Sequence, residues 1–165
     1  MLKLLGSACI LAGGVLAQGA RLAERRRQWD TLSDLLFALR RMEEEIRLTR
    51  TPMPVLLEGL AKDRGADAAS FFTHVAEALR RGDLPGDVWR REAAGLPLPP
   101  EALRALEDLG GALGGDEEDT CKAIGLAVYE LAKCAEEHAR DRKAEDRRAA
   151  ALYFSGAALL VILLI

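Results

Sequence analysis

The sequence is poor in the residues that build catalytic and metal centres. It has three cysteines and two histidines among 165 residues, and none of them stands at a spacing typical of zinc ligands. No Gly-x-Ser-x-Gly motif, paired nucleophile and base, or cofactor fingerprint is present. We therefore expect no catalytic, cofactor-binding or metal-binding residues, and a protein that is not an enzyme.

The three cysteines also predict no disulfide. Cys9, Cys121 and Cys134 are an odd number without paired spacing. If Cys121 and Cys134 share one helix, about 13 residues of rise separate them by roughly 20 Å, whereas a disulfide needs Cα atoms within about 7 Å. His74 and His138 lie among charged residues, which is typical of surface histidines.

An excess of positive charge and strand-like alternation are missing as well. The net charge is −3, which gives no general attraction to nucleic acid. No central segment alternates between apolar and polar residues as a strand does. The central part of the chain is therefore predicted to be all-α.

Charge is almost absent from both ends of the chain. Lys3 is the one ionisable side chain in residues 1–20, and residues 149–165 contain none. About 17–20 apolar residues suffice to cross a hydrocarbon core of about 30 Å. The sequence therefore predicts an N-terminal transmembrane helix at 1–20 and a C-terminal one at 149–165, with a central domain at 21–148.

Basic residues at both inner junctions predict the orientation of these spans. The positive-inside rule counts the arginines and lysines near membrane ends, and here they are Arg21, Arg25, Arg26, Arg27, Arg140, Arg142, Lys143, Arg147 and Arg148. The central domain is therefore expected in the cytoplasm. An alternative is a cleaved signal peptide, with residues 4–16 as its apolar region.

Apolar residues recur at three- and four-residue steps through the central domain, as in amphipathic helices. A long first helix over 27–50 ends at Thr51-Pro52-Met53-Pro54. Shorter helices are predicted at about 54–62 and 67–81, from Asp87 as a cap, and at 101–113. A long last helix starts near 117 and runs towards 148. The predicted fold is a bundle of about six helices, with the two long helices continuing into the terminal spans.

One glycine-rich segment covers residues 110–115. A phosphate-binding loop would need a preceding strand and a following Gly-Lys-Ser/Thr, and neither is present. We expect a close helix crossing and a C-cap instead, with Asp116 or Asp119 beginning the last helix.

A cluster of charges on the first long helix has two interpretations. Glu43, Glu44 and Glu45 either form a solvated face balanced by neighbouring arginines or meet a basic partner. If the face binds a partner, the contact residues that we predict are Arg40, Glu43, Glu44, Arg47 and Arg50.

Several motifs occur in an order that resembles the stage III sporulation protein AB family of endospore-forming bacteria. They are Met1-Leu-Lys-Leu-Leu-Gly6, Leu39-x-x-Met42-Glu43-x-Glu45-Ile46, Thr51-Pro52-Met53-Pro54, Trp89, Leu109-Gly110-x-x-Leu113-Gly114-x-Asp116, Tyr153-x-x-Gly156 and Ile162-Leu163-Leu164-Ile165. The sequence departs from the family at Thr120, near which a glutamine is expected.

The resemblance implies a non-enzymatic membrane component of the channel that links mother cell and forespore. Its soluble part would be similar to the cytoplasmic helical domain of platform proteins in type II secretion and type IV pilus machines. The protein would lie in the mother-cell membrane around the forespore, dock the assembly ATPase of the apparatus and couple it to other channel membrane proteins. Homo-oligomers are also possible on this basis.

Two further classes of function remain as alternatives. One is a small-ligand sensor or an enzyme with a pocket in the bundle, which requires convergent polar groups in a cavity. The other is a secreted helical domain with a cleaved signal peptide.

Overall fold

The computed structural model describes the backbone of residues 2–49, 51–62 and 64–164 and the side chains at 23–48, 51–62 and 64–140. These residues form six helices and no strand. The helices are α1 (Leu2–Thr49), α2 (Met53–Ala61), α3 (Ala66–Arg81), α4 (Pro85–Ala93), α5 (Pro100–Ala112) and α6 (Glu117–Leu164). The predicted bundle of about six helices, two of them long, is confirmed.

Proline and glycine set most of the helix boundaries. A proline occupies the first or second position of α2, α4 and α5, where its missing N–H is not needed. Gly82 ends α3 with a φ of 93°, and its N–H donates to the Leu79 carbonyl. Because only glycine adopts this left-handed conformation without strain, the predicted end of α3 is confirmed.

Two predicted caps have different outcomes. Asp116 caps α6, since its Oδ1 accepts the Asp119 N–H at 2.7 Å. Asp87 does not cap α4, as we had expected, because Pro85 starts this helix two residues earlier. The Asp87 carboxylate instead accepts a hydrogen bond from Arg90 Nη2 at 3.3 Å, within the first turns of α4.

Each helix packs against the next one along the chain, and α6 packs back against α1. Contacts between consecutive helices show that they run antiparallel. Glu58 of α2 pairs with Arg80 near the end of α3, His74 of α3 with Glu92 of α4, and Trp89 of α4 with the Leu106 carbonyl of α5. The six helices therefore form a closed up-and-down ring.

The ring has two ends, which we call the tip and the base. The connections after α1, α3 and α5 lie at the tip, and the connections after α2 and α4 lie at the base. Since direction reverses at each of the five connections, α6 runs antiparallel to α1, which it contacts. Residue 23 of α1 and residue 140 of α6 therefore lie at the same end, the base.

Every helix contributes to one apolar core. Its centre is an aromatic cluster in which the rings of Phe71 and Phe72 meet Trp89 edge to face at 4.8 and 6.3 Å between centroids. Trp89 is fully buried, and its Nε1 donates to the Leu106 carbonyl at 3.0 Å. The buried stripes of the long helices close the core; they comprise Leu32, Leu35, Leu39 and Met42 on α1 and Ile124, Ala127 and Leu131 on α6.

No helix is long and apolar enough to cross a membrane when only the described residues are considered. The two predicted spans, at 1–20 and 149–165, lie outside the residues whose side chains the structure describes. They remain predictions from the sequence.

The glycine-rich segment makes the predicted close helix crossing. A Cβ on Gly86 of α4 would come within 2.5 Å of the Gly110 carbonyl oxygen of α5, so the two backbones touch at this point. The helix ends at Ala112, one residue earlier than predicted, and Gly114 follows with a φ of 116°.

The crossing predicts unequal effects of alanine at two glycines. Gly86→Ala should lower the free energy of unfolding by about 1–3 kcal/mol, because the new methyl group meets backbone that cannot move aside. Gly111→Ala is the control, since nothing lies within 4 Å of its Cβ position, and it should be neutral or slightly stabilising. Chemical unfolding of the full-length chain in detergent measures both, and equal effects would contradict the close crossing.

Candidate docking surface

The predicted contact residues lie on α1, in the half of the described segment that is nearer the tip. Arg40, Glu44 and Arg47 are exposed and Glu43 is half-buried, whereas Arg50 lies outside the described residues. A straight helix holds these side chains at fixed spacings on one rigid rod. The structure therefore brings four of the five predicted residues onto one helix surface.

Ion pairs between neighbouring turns satisfy part of this surface. Arg47 Nη2 lies 2.9 Å from Glu43 Oε1, and Arg41 Nε lies 3.9 Å from Glu45 Oε1. These two pairs agree with the solvated-face interpretation. Arg40 and Glu44 have no ion-pair partner among the described residues, so they are the charges most available to another molecule.

A second polar cluster joins α1 to α3 near the base. Arg27 donates to Asp67 through Nε at 2.7 Å and Nη2 at 2.6 Å, and the Thr31 hydroxyl donates to Asp67 at 3.4 Å. The Gly65 N–H donates to Asp34 at 2.8 Å. The two-point Arg27–Asp67 pair raises the pKa of Arg27 and lowers the pKa of Asp67 through hydrogen bonding and charge.

Sequence reasoning missed this cluster, because Arg27 and Asp67 are 40 residues apart and no local pattern connects them. The cluster borders a groove of about 570 Å³ that is lined by residues of α1 and of the start of α3. The lining contains no histidine or cysteine. The cluster therefore serves to fix α3 on α1.

Catalytic chemistry gains no support from the described side chains. His74 is exposed and lies 3.2 Å from a single carboxylate, that of Glu92, so it is not the buried histidine between two carboxylates that an enzyme or sensor would favour. Within residues 23–140, apart from the undescribed positions, no group of three His, Cys, Asp or Glu side chains could hold a metal ion. Cys121 and Cys134 are buried free thiols on α6. Burial raises the pKa of Cys134, and Glu101 and Glu137 add to the shift, which keeps this thiol protonated.

Comparison with known proteins decides the family. The family model described as stage III sporulation protein AB matches residues 3–165. The chain belongs to this family. Membership supports a role in the sporulation apparatus.

A solved structure of a stage III sporulation protein AB (SpoIIIAB) has the same fold. Its sequence is 22% identical to this chain, the TM-score is 0.65, and the match covers 71% of this chain and 97% of that structure. No curated protein gave a significant match. The structural likeness supports the ring of six helices and the family assignment made from the sequence.

Thr120, where the sequence departs from the residue expected for the family, has a structural role. It is buried, and its hydroxyl donates to the Ala112 carbonyl of α5 at 3.3 Å. That carbonyl lies in the last turn of α5, where carbonyls have no partner within the helix. Thr120 thus fastens the end of α5 to the first turns of α6.

The Thr120 hydrogen bond predicts a stability difference. Thr120→Val keeps the shape but removes the hydroxyl, so the free energy of unfolding should fall by about 1 kcal/mol because a buried carbonyl loses its donor. Thr120→Ser retains the hydroxyl and is the control for the hydrogen bond. Urea unfolding of the full-length chain in detergent compares them, and a valine variant as stable as the wild type would contradict this role.

The Arg27–Asp67 pair predicts a pH dependence. Because the pKa of Asp67 is lower in the folded protein than its unfolded value of about 3.9, its contribution to stability is present above pH 4 and is lost as the pH falls through the folded pKa. Asp67→Asn should therefore be less stable than the wild type at pH 7, and the difference should shrink below pH 4.

The matched control is Asp108→Asn, at an exposed residue of α5. It should leave stability at pH 7 unchanged. Thermal unfolding across pH 2–8 measures all three proteins, and an Asp67→Asn deficit that grows as the pH falls would contradict the pair's contribution.

Proposed function

We propose that the protein is a non-enzymatic scaffold, anchored in a membrane, of the sporulation channel apparatus between mother cell and forespore. The observation that carries the proposal is the arrangement of the two long helices. α1 and α6 contact each other, run antiparallel and leave the bundle at the base. Both helices continue without a break into the terminal apolar segments.

The sequence supports a membrane at the base of the bundle. The apolar segments 1–20 and 149–165 have the length of membrane spans, and arginines follow the first segment and precede the second. On this basis the bundle lies in the mother-cell cytoplasm and the spans lie in the mother-cell membrane around the forespore. The base then faces the membrane and the tip faces away from it.

Docking of the cytoplasmic assembly ATPase is the second part of the proposal. The exposed charges of α1, led by Arg40 and Glu44 with Glu43, Arg47 and Arg50 beside them, are the proposed contacts. They lie on a helix that is continuous with the first apolar segment. A force or displacement at this surface would reach the membrane through one rigid element, and from there the other channel membrane proteins.

A charge reversal tests the docking surface. Arg40→Glu should lower the affinity of the full-length chain for the assembly ATPase at least about tenfold, which corresponds to about 1.4 kcal/mol. The control is Arg104→Glu, at an exposed arginine of α5, which should bind as the wild type does. Binding is measured by titration in detergent with and without ATP. Absence of wild-type binding under every nucleotide condition would contradict the proposal, and equal effects of the two reversals would remove Arg40 from the surface.

A further inference from the structure

We infer that Leu126 and Tyr129 of α6 form the apolar centre of the docking surface, and that they receive an acidic segment of the partner with an apolar side chain. This inference rests on the proposed function and adds a second helix to the site. Sequence analysis assigned no role to either residue.

The two side chains are exposed side by side. Leu126 is 62% exposed and Tyr129 is 64% exposed. They are three residues apart on one helix, so they are neighbours on its surface. Tyrosine is enriched among the residues that dominate binding energies at protein interfaces. This pair therefore has the composition of an interface centre.

Helix geometry places Tyr129 on the side of α6 that faces away from α5. Thr120 faces α5, because its hydroxyl binds the Ala112 carbonyl. Tyr129 follows Thr120 by nine residues, or about two and a half turns, and so points to the opposite side. Since α1 is the other neighbour of α6 in the ring, Tyr129 lies along the outer edge of the α1–α6 seam.

The same geometry places Arg40 on this seam. Thr31 faces α3, because its hydroxyl binds Asp67. Arg40 follows Thr31 by nine residues and so points away from α3, towards the α6 side of α1. Arg40 also stands nine residues before the end of α1 at the tip, and Leu126 nine residues after the start of α6. The two residues are thus at similar heights.

The charges around Tyr129 favour an acidic partner. Arg40 and Lys133 have no ion-pair partner among the described residues, and Lys133 lies one turn beyond Tyr129. Nearer the tip, Glu44 stands at the height of Lys122, so these opposite charges offset each other. Glu130 is one residue from Tyr129 and therefore about 100° around the helix, on the side away from the seam. The seam next to Tyr129 is therefore net positive.

The same charges disfavour a second copy of the chain as the occupant. Two copies held in one membrane keep their heights, so a symmetric pair meeting at this seam would place Lys133 against Lys133 and Arg40 against Arg40. Like charges that face each other across an interface are unfavourable. An acidic surface on a different protein has no such conflict.

Alanine substitutions at exposed apolar residues test the inference. In the full-length chain, Tyr129→Ala and Leu126→Ala should each weaken binding of the assembly ATPase at least about tenfold. The matched control is Leu84→Ala, since Leu84 is 70% exposed in the α3–α4 connection, and it should stay within about twofold of the wild type. All three sites are exposed, so thermal unfolding should be unchanged.

Substitutions at Lys133 test the charge of the partner. Lys133→Glu should weaken binding and Lys133→Arg should retain it, and wild-type affinity should fall as salt is raised. Binding of the wild type with no loss in the Tyr129 and Leu126 variants would overturn the inference and leave the proposed function standing. Absence of wild-type binding would overturn both. If Tyr129→Ala abolishes self-association in sedimentation and leaves ATPase affinity intact, the occupant is a second copy and the inference is wrong.

Discussion

The contact between α1 and α6 closes the ring of six helices, and the remaining architecture depends on it. Five reversals of direction place the last helix antiparallel to the first, and burial of their apolar stripes holds them together. Without this contact, the aromatic cluster around Trp89 would lack the wall that the two stripes provide. With it, both long helices leave from one end of the bundle. The proposed anchoring at two points in one membrane requires this arrangement.

Local interactions make the bundle rigid at both ends of its core. At the base, the Arg27–Asp67 pair and the Asp34–Gly65 hydrogen bond fix the start of α3 on α1. Near the tip, the α4–α5 crossing at Gly86 and Gly110 and the Thr120 hydrogen bond fix the start of α6. A rigid body of this kind suits a scaffold, because a load applied at the α1–α6 seam is carried along helices and not absorbed by loops.

The helices could be predicted from the sequence because each one has a strong local signal. Three- and four-residue apolar steps define α1 and α6, and Pro52, Pro54 and Gly82 mark boundaries. Asp87 was misassigned as a cap because a proline at the first helical position, Pro85, starts the helix without one. The order of the motifs also identified the family correctly.

The candidate site was less predictable. The charge cluster on α1 is visible in the sequence, but the pairing of Glu43 with Arg47 and the availability of Arg40 require coordinates. Leu126 and Tyr129 stand beside a buried stripe, and an apolar residue next to such a stripe gives no sign that it is exposed. The Arg27–Asp67 pair joins residues that only the folded chain brings together.

The account depends most on the claim that both long helices run into the same membrane from the same side. Topology reporters inserted at Arg27 and fused after Ile165, in the full-length chain expressed in cells, test it directly. The account predicts a cytoplasmic signal at Arg27 and a signal from the opposite side of the membrane after Ile165. Reporters on the same side, or a reporter at Arg27 outside the cytoplasm, would contradict it.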